Sequence, residues 1–152
     1  MTREVMATAL LLAAAVGCGL VGGIFFAFSA FVMAALDRLP PAQAVAAMQA
    51  INVTVLNPLF FAAFFGTVGL SLLAAIVRPS PTVLAAAFAY LAGCVLVTIA
   101  GNVPLNDRLA RLGSGDPAAA WRLYRGRWTA WNHLRTAASL AAAAGFALAL
   151  TH

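Results

Sequence analysis

The chain has 152 residues, 64 % of them apolar and 9 % charged, with a mean hydropathy of +0.96 and a net charge of +5. An ordinary soluble domain is about half apolar and about a quarter charged, so the composition excludes a water-soluble globule, and the scarcity of charge excludes a disordered chain. Nine basic residues, all Arg, face four acids; they flank apolar runs instead of forming a solvated patch, which points to membrane topology and away from nucleic acid.

A membrane-crossing helix needs about 20 mainly apolar residues, and four stretches meet that need, in a single transmembrane domain over 1–152. The first, about 5–36, follows Arg3 and Glu4 and ends at Asp37-Arg38. Its start resembles a signal peptide, but the apolar run continues well past Cys18, too far for a cleaved segment, so it reads as a retained helix. Gly19 and Gly23 form a small-xxx-small pair that admits a neighbouring helix and offers a face for a homo-oligomer. From Pro41 to Ile51, Val45, Met48 and Ile51 recur at helical spacing, an interfacial approach. The second span, about 52–77, stops at Arg78-Pro79, with Pro58 bending its entry. The third runs over about 82–101. A long helix from Pro117 to Leu150 carries the fourth span, about 128–150. Cys18 and Cys94 lie inside apolar runs and read as buried small hydrophobes.

Short connections between four helices predict an all-α, up-down-up-down membrane bundle. Arg38, Arg108, Arg111, Arg122, Arg125 and Arg127 fall at one end of it, against Arg3 and Arg78 at the other. The positive-inside rule then places both termini outside a cell (inner) membrane and the Arg-rich connections in the cytoplasm.

Polar side chains inside a bilayer are costly and mark function by default. Counted about 20 residues inward from the outer helix ends, Asn57, Asn102 and Asn132 fall at one level, with Arg135 a turn deeper. Ser29 sits at that level beside Phe25, Phe26, Phe28 and Phe31. Gln49, Asn52, Thr54 and Asn106 lie just beyond it, whereas the outer half reads as Ala, Leu, Val, Phe and Gly. In the fourth helix Trp121, Arg125, Trp128, Asn132 and Arg135 share one face at spacings of three and four, flanked by Tyr124 and Trp131. Amides in bundles commonly just tie helices together, and aromatics with Arg commonly form an interfacial belt. A belt rings both ends and structural amides scatter in depth; these do neither, which favours a ligand pocket at the cytoplasmic end. His133 lies about 140° from the centre of this face. With His152 at the chain end, no His pair forms for a bis-His haem, although His133 alone remains a conceivable axial ligand. No carboxylate pair, nucleophile elbow, phosphate loop or metal-type cluster occurs.

The ordered set Gly23-Ile-Phe-Phe-Ala-Phe-Ser29, Met48-Gln49-Ala-Ile-Asn52, Asn57-Pro58, Asn102-Val-Pro104-Leu-Asn106 and Trp128, Asn132, Arg135 resembles the anthrone oxygenase-like family of small four-helix membrane proteins. That resemblance implies oxidation of a small hydrophobic, anthrone- or phenol-like substrate by molecular oxygen, with no metal or flavin required. It implies catalytic roles for Arg135, Asn132, Asn102 and, as the one titratable base, His133. Gln49, Asn52, Asn57, Asn106, Trp128, Trp131, Phe28 and Ser29 would then bind the substrate. Two other readings stand beside it: a haem protein with His133 as ligand, and a non-catalytic binding or accessory subunit whose polar layer locks helices.

Overall fold

Three helices begin the same way, with a proline in the first turn and a capping side chain just before it. Asn57 Oδ1 accepts from the Phe60 amide (3.0 Å), Ser80 Oγ from Val83 (3.3 Å) and Asp116 Oδ1 from Ala118 (2.8 Å). These bonds satisfy amides that have no partner inside the helix, and proline has no amide to lose there. The computed structural model describes residues 2–151; His152 lies outside the described residues. The described chain is all-helical, with helices α1 (Arg3–Leu36), α2 (Pro41–Thr54), α3 (Pro58–Val77), α4 (Pro81–Ala110) and α5 (Pro117–Leu148).

Five helices therefore stand among the described residues, where four spans and a helical approach to the second were expected. The second span begins at Pro58, not at residue 52: Asn52 to Thr54 close α2, and the residue before proline is driven out of helical geometry. Asn57 is accordingly extended (φ −124°, ψ 159°). The third helix does not stop at Gly101 but runs through Pro104 to Ala110. Proline in a helix clashes with the carbonyl four residues back; here the turn Thr98–Asn102 is π-helical, and Val103 N–H reaches back five residues to Thr98 O. Two further π-helical stretches, Phe28–Val32 in α1 and Ala89–Leu96 in α4, interrupt the α-helical ladders.

Helices α1, α3 and α4 are long and apolar enough to cross a membrane. Helix α5 is the second-longest helix, but Asn132, His133 and Arg135 interrupt its apolar run. It packs along α1 and α4, and α3 packs along α1. Close approach is set by glycines other than the expected pair. A Cβ on Gly93 would lie 2.4 Å from the Ala138 Cβ, and one on Gly17 would lie 2.3 Å from Thr67 Oγ1, whereas Gly19 and Gly23 face open space.

Two apolar clusters form the core. One gathers Leu11, Cys18, Val21, Phe25, Phe64, Val83, Tyr90, Cys94 and Phe146. The other, at the Arg-rich end, gathers Met33, Leu36, Met48, Leu109, Trp121, Tyr124 and Trp128. The half read as purely apolar also buries polar groups: Ser71, Ser139 and Tyr90 are fully enclosed there, with Tyr90 Oη donating to Phe64 O (3.0 Å). Both cysteines are buried and free.

Candidate functional site

At the seam between the two clusters the helices leave a cavity of about 210 Å³. Phe25 and Phe28 of α1, Met48 and Asn52 of α2, and Phe60 and Phe64 of α3 form part of its wall. Thr98, Asn102 and Asn106 of α4 and Trp128 and Arg135 of α5 complete its polar side. Phe28 in the π-helical turn of α1, and Thr98, Ile99 and Asn102 in that of α4, line it, and π-helical turns recur at functional sites. Residues at spacings of three and four bring Trp121, Tyr124, Trp128, Asn132 and Arg135 to one buried face of α5. Arg125, expected on that face, instead points out to an ion pair with Asp37.

Arg135 dominates the electrostatics. It is 4 % exposed, and among the described residues no carboxylate pairs with it; the ion pair found is Arg125 with Asp37. Its guanidinium donates to Asn132 Oδ1 (2.7 Å) and Thr98 Oγ1 (3.3 Å). It lies 4.0 Å from the Phe25 ring centre and 5.2 Å from that of Trp128, a cation–π embrace that offsets part of the desolvation cost. Among the described residues its Nε finds no acceptor. A buried cation without a counter-ion is costly, and it creates a strong preference for an anionic guest.

The amides divide into those that face the cavity and those that hold it. Asn102, 1 % exposed, donates through Nδ2 to Trp128 O (3.2 Å), while its buried Oδ1 has no partner among the described residues. Asn106 Oδ1 accepts from both Tyr124 Oη (2.8 Å) and Trp128 Nε1 (2.9 Å). Asn52 reaches the same Tyr124 oxygen at 3.5 Å.

Of the residues expected to form the pocket, Arg135, Asn102, Asn52, Asn106, Trp128 and Phe28 meet at this cavity; the others do not line it. Asn132 stands behind Arg135, its Nδ2 donating to Phe25 O and to Ser29 Oγ (2.8 Å each) while its Oδ1 holds the guanidinium. Gln49 is spent on Leu109 O (2.7 Å), tying α2 to α4. Asn57 caps α3 and donates to Thr54 O (2.9 Å). Trp131 is 43 % exposed and covers Gly101, where an added Cβ would meet its ring at 2.8 Å. His133 bonds Ser29 Oγ (3.0 Å) and, with Ser29, lines a separate open hollow beside Asp37 and Arg125. A porphyrin in the main cavity would thus find no imidazole from the described residues, so the site does not fit a His133-ligated haem.

Thr98, Phe60 and Phe64 are among the cavity residues that the sequence did not single out. Thr98 was legible in principle, one turn before Asn102 on the same face of a polar-poor helix. Phe60 and Phe64 were not, because a lipid-facing Phe and a cavity-facing Phe leave the same sequence signal. Tyr124 was placed beside the stripe and lies within it.

No curated protein and no solved structure matches the chain. A family model described as anthrone oxygenase matches residues 48–145, from Met48 in the cavity wall to the far part of α5. That stretch includes the cavity residues of α2, α3, α4 and α5. On that match, the chain belongs to the anthrone oxygenase family.

Proposed function

We propose that the chain is a membrane-embedded oxygenase that oxidises a small, flat, hydrophobic molecule bearing an acidic enol or phenol in the cavity beside Arg135. The observation carrying this is the enclosed, unpaired guanidinium of Arg135 in an aromatic cavity, in a chain of an oxygenase family. A cation in a low-dielectric pocket lowers the acidity constant exponent of a bound enol and holds the enolate it forms. The enolate then gives an electron pair to molecular oxygen, with a carbon–oxygen bond forming. Loss of the remaining hydrogen on that carbon and cleavage of the oxygen–oxygen bond release water and leave a new carbonyl. One oxygen atom stays in the quinone and the other leaves as water, so dioxygen is the sole oxidant. Arg135 holds the anion, Asn102 fixes the wall at Trp128 through its donated bond, and Trp128, Phe25 and Phe64 sandwich the ring. Asn132 acts as a positioning residue through Arg135. His133 lies outside the cavity; the proton given up by the enol returns to the peroxide oxygen and departs in the water released, so no net proton is lost.

The same reading takes α5 as a fourth crossing beside the three apolar spans, giving an up-down-up-down bundle with both termini outside and the cavity toward the cytoplasmic end. Its support is the packing of α5 along α1 and α4 and the gathering of six Arg at one end.

An oxygen electrode tests the activity. Purified protein supplied with anthrone is expected to consume one oxygen molecule per quinone formed, and Asn102→Ala, which releases Trp128 O and shifts the cavity wall, is expected to slow this by about tenfold or more. Consumption no faster than in protein-free buffer would contradict the reading.

A further inference from the structure

The cavity is asymmetric in a way that the chemistry alone does not require. Its deep end is polar and closed: Asn102, Trp128 and Arg135 are each 4 % exposed or less. Its other end is lined by Leu56 before α3, Phe61 and Phe65 of α3, and Ile99 and Val103 of α4. All five are exposed, Leu56, Phe65 and Ile99 by more than half of their surface. Every lining residue classed as exposed is thus apolar, whereas the polar Asn52, Thr98 and Asn106 are half-buried. An opening onto water carries a polar rim, whereas contiguous exposed apolar surface marks contact with lipid or another apolar phase.

The position of this opening fits lipid. Helices α3 and α4 both have the length and hydropathy of membrane spans. They pack together near the Arg78–Pro81 turn and along Ala89–Leu96, and they are parted at Thr98–Ala110. Phe61 and Phe65 lie one to two turns inside α3, about 5–10 Å along its axis from Pro58. The gap therefore faces sideways, within the apolar zone.

Size narrows the guest. At about 210 Å³, the cavity is smaller than the roughly 300–1,000 Å³ of pockets that enclose a drug-sized ligand. It takes an acidic ring, and anything attached to that ring must leave through the gap. We propose that the cavity is loaded laterally from the bilayer through a portal between α3 and α4. Its ligand is an acidic aromatic amphiphile: the ionisable ring seats at Arg135, and an apolar tail or further rings remain among the lipid chains. This rests on the anion-holding cavity argued above and adds to it the route and the shape of the substrate.

The test uses the full chain in lipid nanodiscs, with 4-nitrophenol and a long-alkyl 4-nitrophenol as probes, followed by the absorbance change of the probe as its ring ionises at Arg135. Wild type is expected to bind the alkylated probe more tightly than the short one. Its association rate should follow the mole fraction of probe in the lipid. Ile99→Trp and, independently, Phe65→Trp place a large ring in the gap and are expected to slow association by about tenfold or more. Ile76→Trp, exposed near the far end of α3, is expected to bind both probes as wild type does. Wild-type association in both plugged variants, or a rate set by the aqueous probe concentration whatever the lipid content, would overturn the portal and leave the anion site standing. If wild type binds neither probe, or Arg135→Met binds both unchanged, the anion site itself fails and the portal falls with it.

Discussion

Arg135→Met is expected to lower oxygen consumption with anthrone by about 10²–10³-fold, the cost of removing one preorganised group that meets developing negative charge. The same substitution is expected to leave thermal stability at or above that of wild type. Arg135 is buried with no carboxylate partner among the described residues, and a buried unpaired charge destabilises the fold that carries it. Met keeps the stem and its contact with Phe25 and Trp128 while removing that charge. Arg135→Lys keeps the charge but cannot reach Asn132 and Thr98 together, so it should retain intermediate activity. This pairing of lost activity with kept stability separates a substrate site from a helix-locking polar layer. In the latter case Arg135→Met would melt early. Cys18 and Cys94, buried and free, make the assay simple: a thiol-reactive dye reports unfolding directly.

Gly93→Val is expected to have the largest effect on stability. The Cβ it adds would lie 2.4 Å from the Ala138 Cβ, so α4 and α5 must move apart. Overpacking of this kind costs about 1–3 kcal/mol. The displaced segment lies just ahead of Thr98 and Asn102, so the Arg135–Thr98 bond (3.3 Å) and the Asn102–Trp128 bond (3.2 Å) should be disturbed as well. Activity is therefore expected to fall with stability. Gly19→Val and Gly23→Val, which meet nothing within 4 Å, should be close to neutral in the isolated chain. Equal melting temperatures for Gly93→Val and Gly19→Val would contradict the packing described here.

The contrast between those glycines shows what the sequence could and could not convey. A small-xxx-small spacing identifies helix surfaces that allow close approach, but not which surface meets a neighbour; that depends on the rotation of each rod. Depth counting from the helix ends located Asn102 and Arg135 because α4 and α5 are continuous rods, for which residue number is distance. It misjudged Asn57, whose amide is used by its own helix start, and Gln49, which sits on a separate helix where counting through the bilayer has no meaning. The phase of His133 was legible, and the structure does keep it off the cavity. The passage of α4 through Pro104 was not, because the π-helical turn that makes room for the ring leaves no composition signal. Nor were the Phe of α3: in a lipid setting both faces of a helix are apolar, so the pattern that tells inside from outside in a soluble protein is missing.

The central claim is that an enclosed guanidinium stabilises an anionic guest, and the ionisation of a bound probe measures it directly. With 4-nitrophenol bound to the protein in nanodiscs, the phenolate absorbance is followed as pH is raised. Pairing with Arg135 should move the midpoint down by about one unit or more relative to the free phenol, and Arg135→Met should abolish that shift. A midpoint unchanged or raised in wild type, or an equal downward shift in Arg135→Met, would contradict the account.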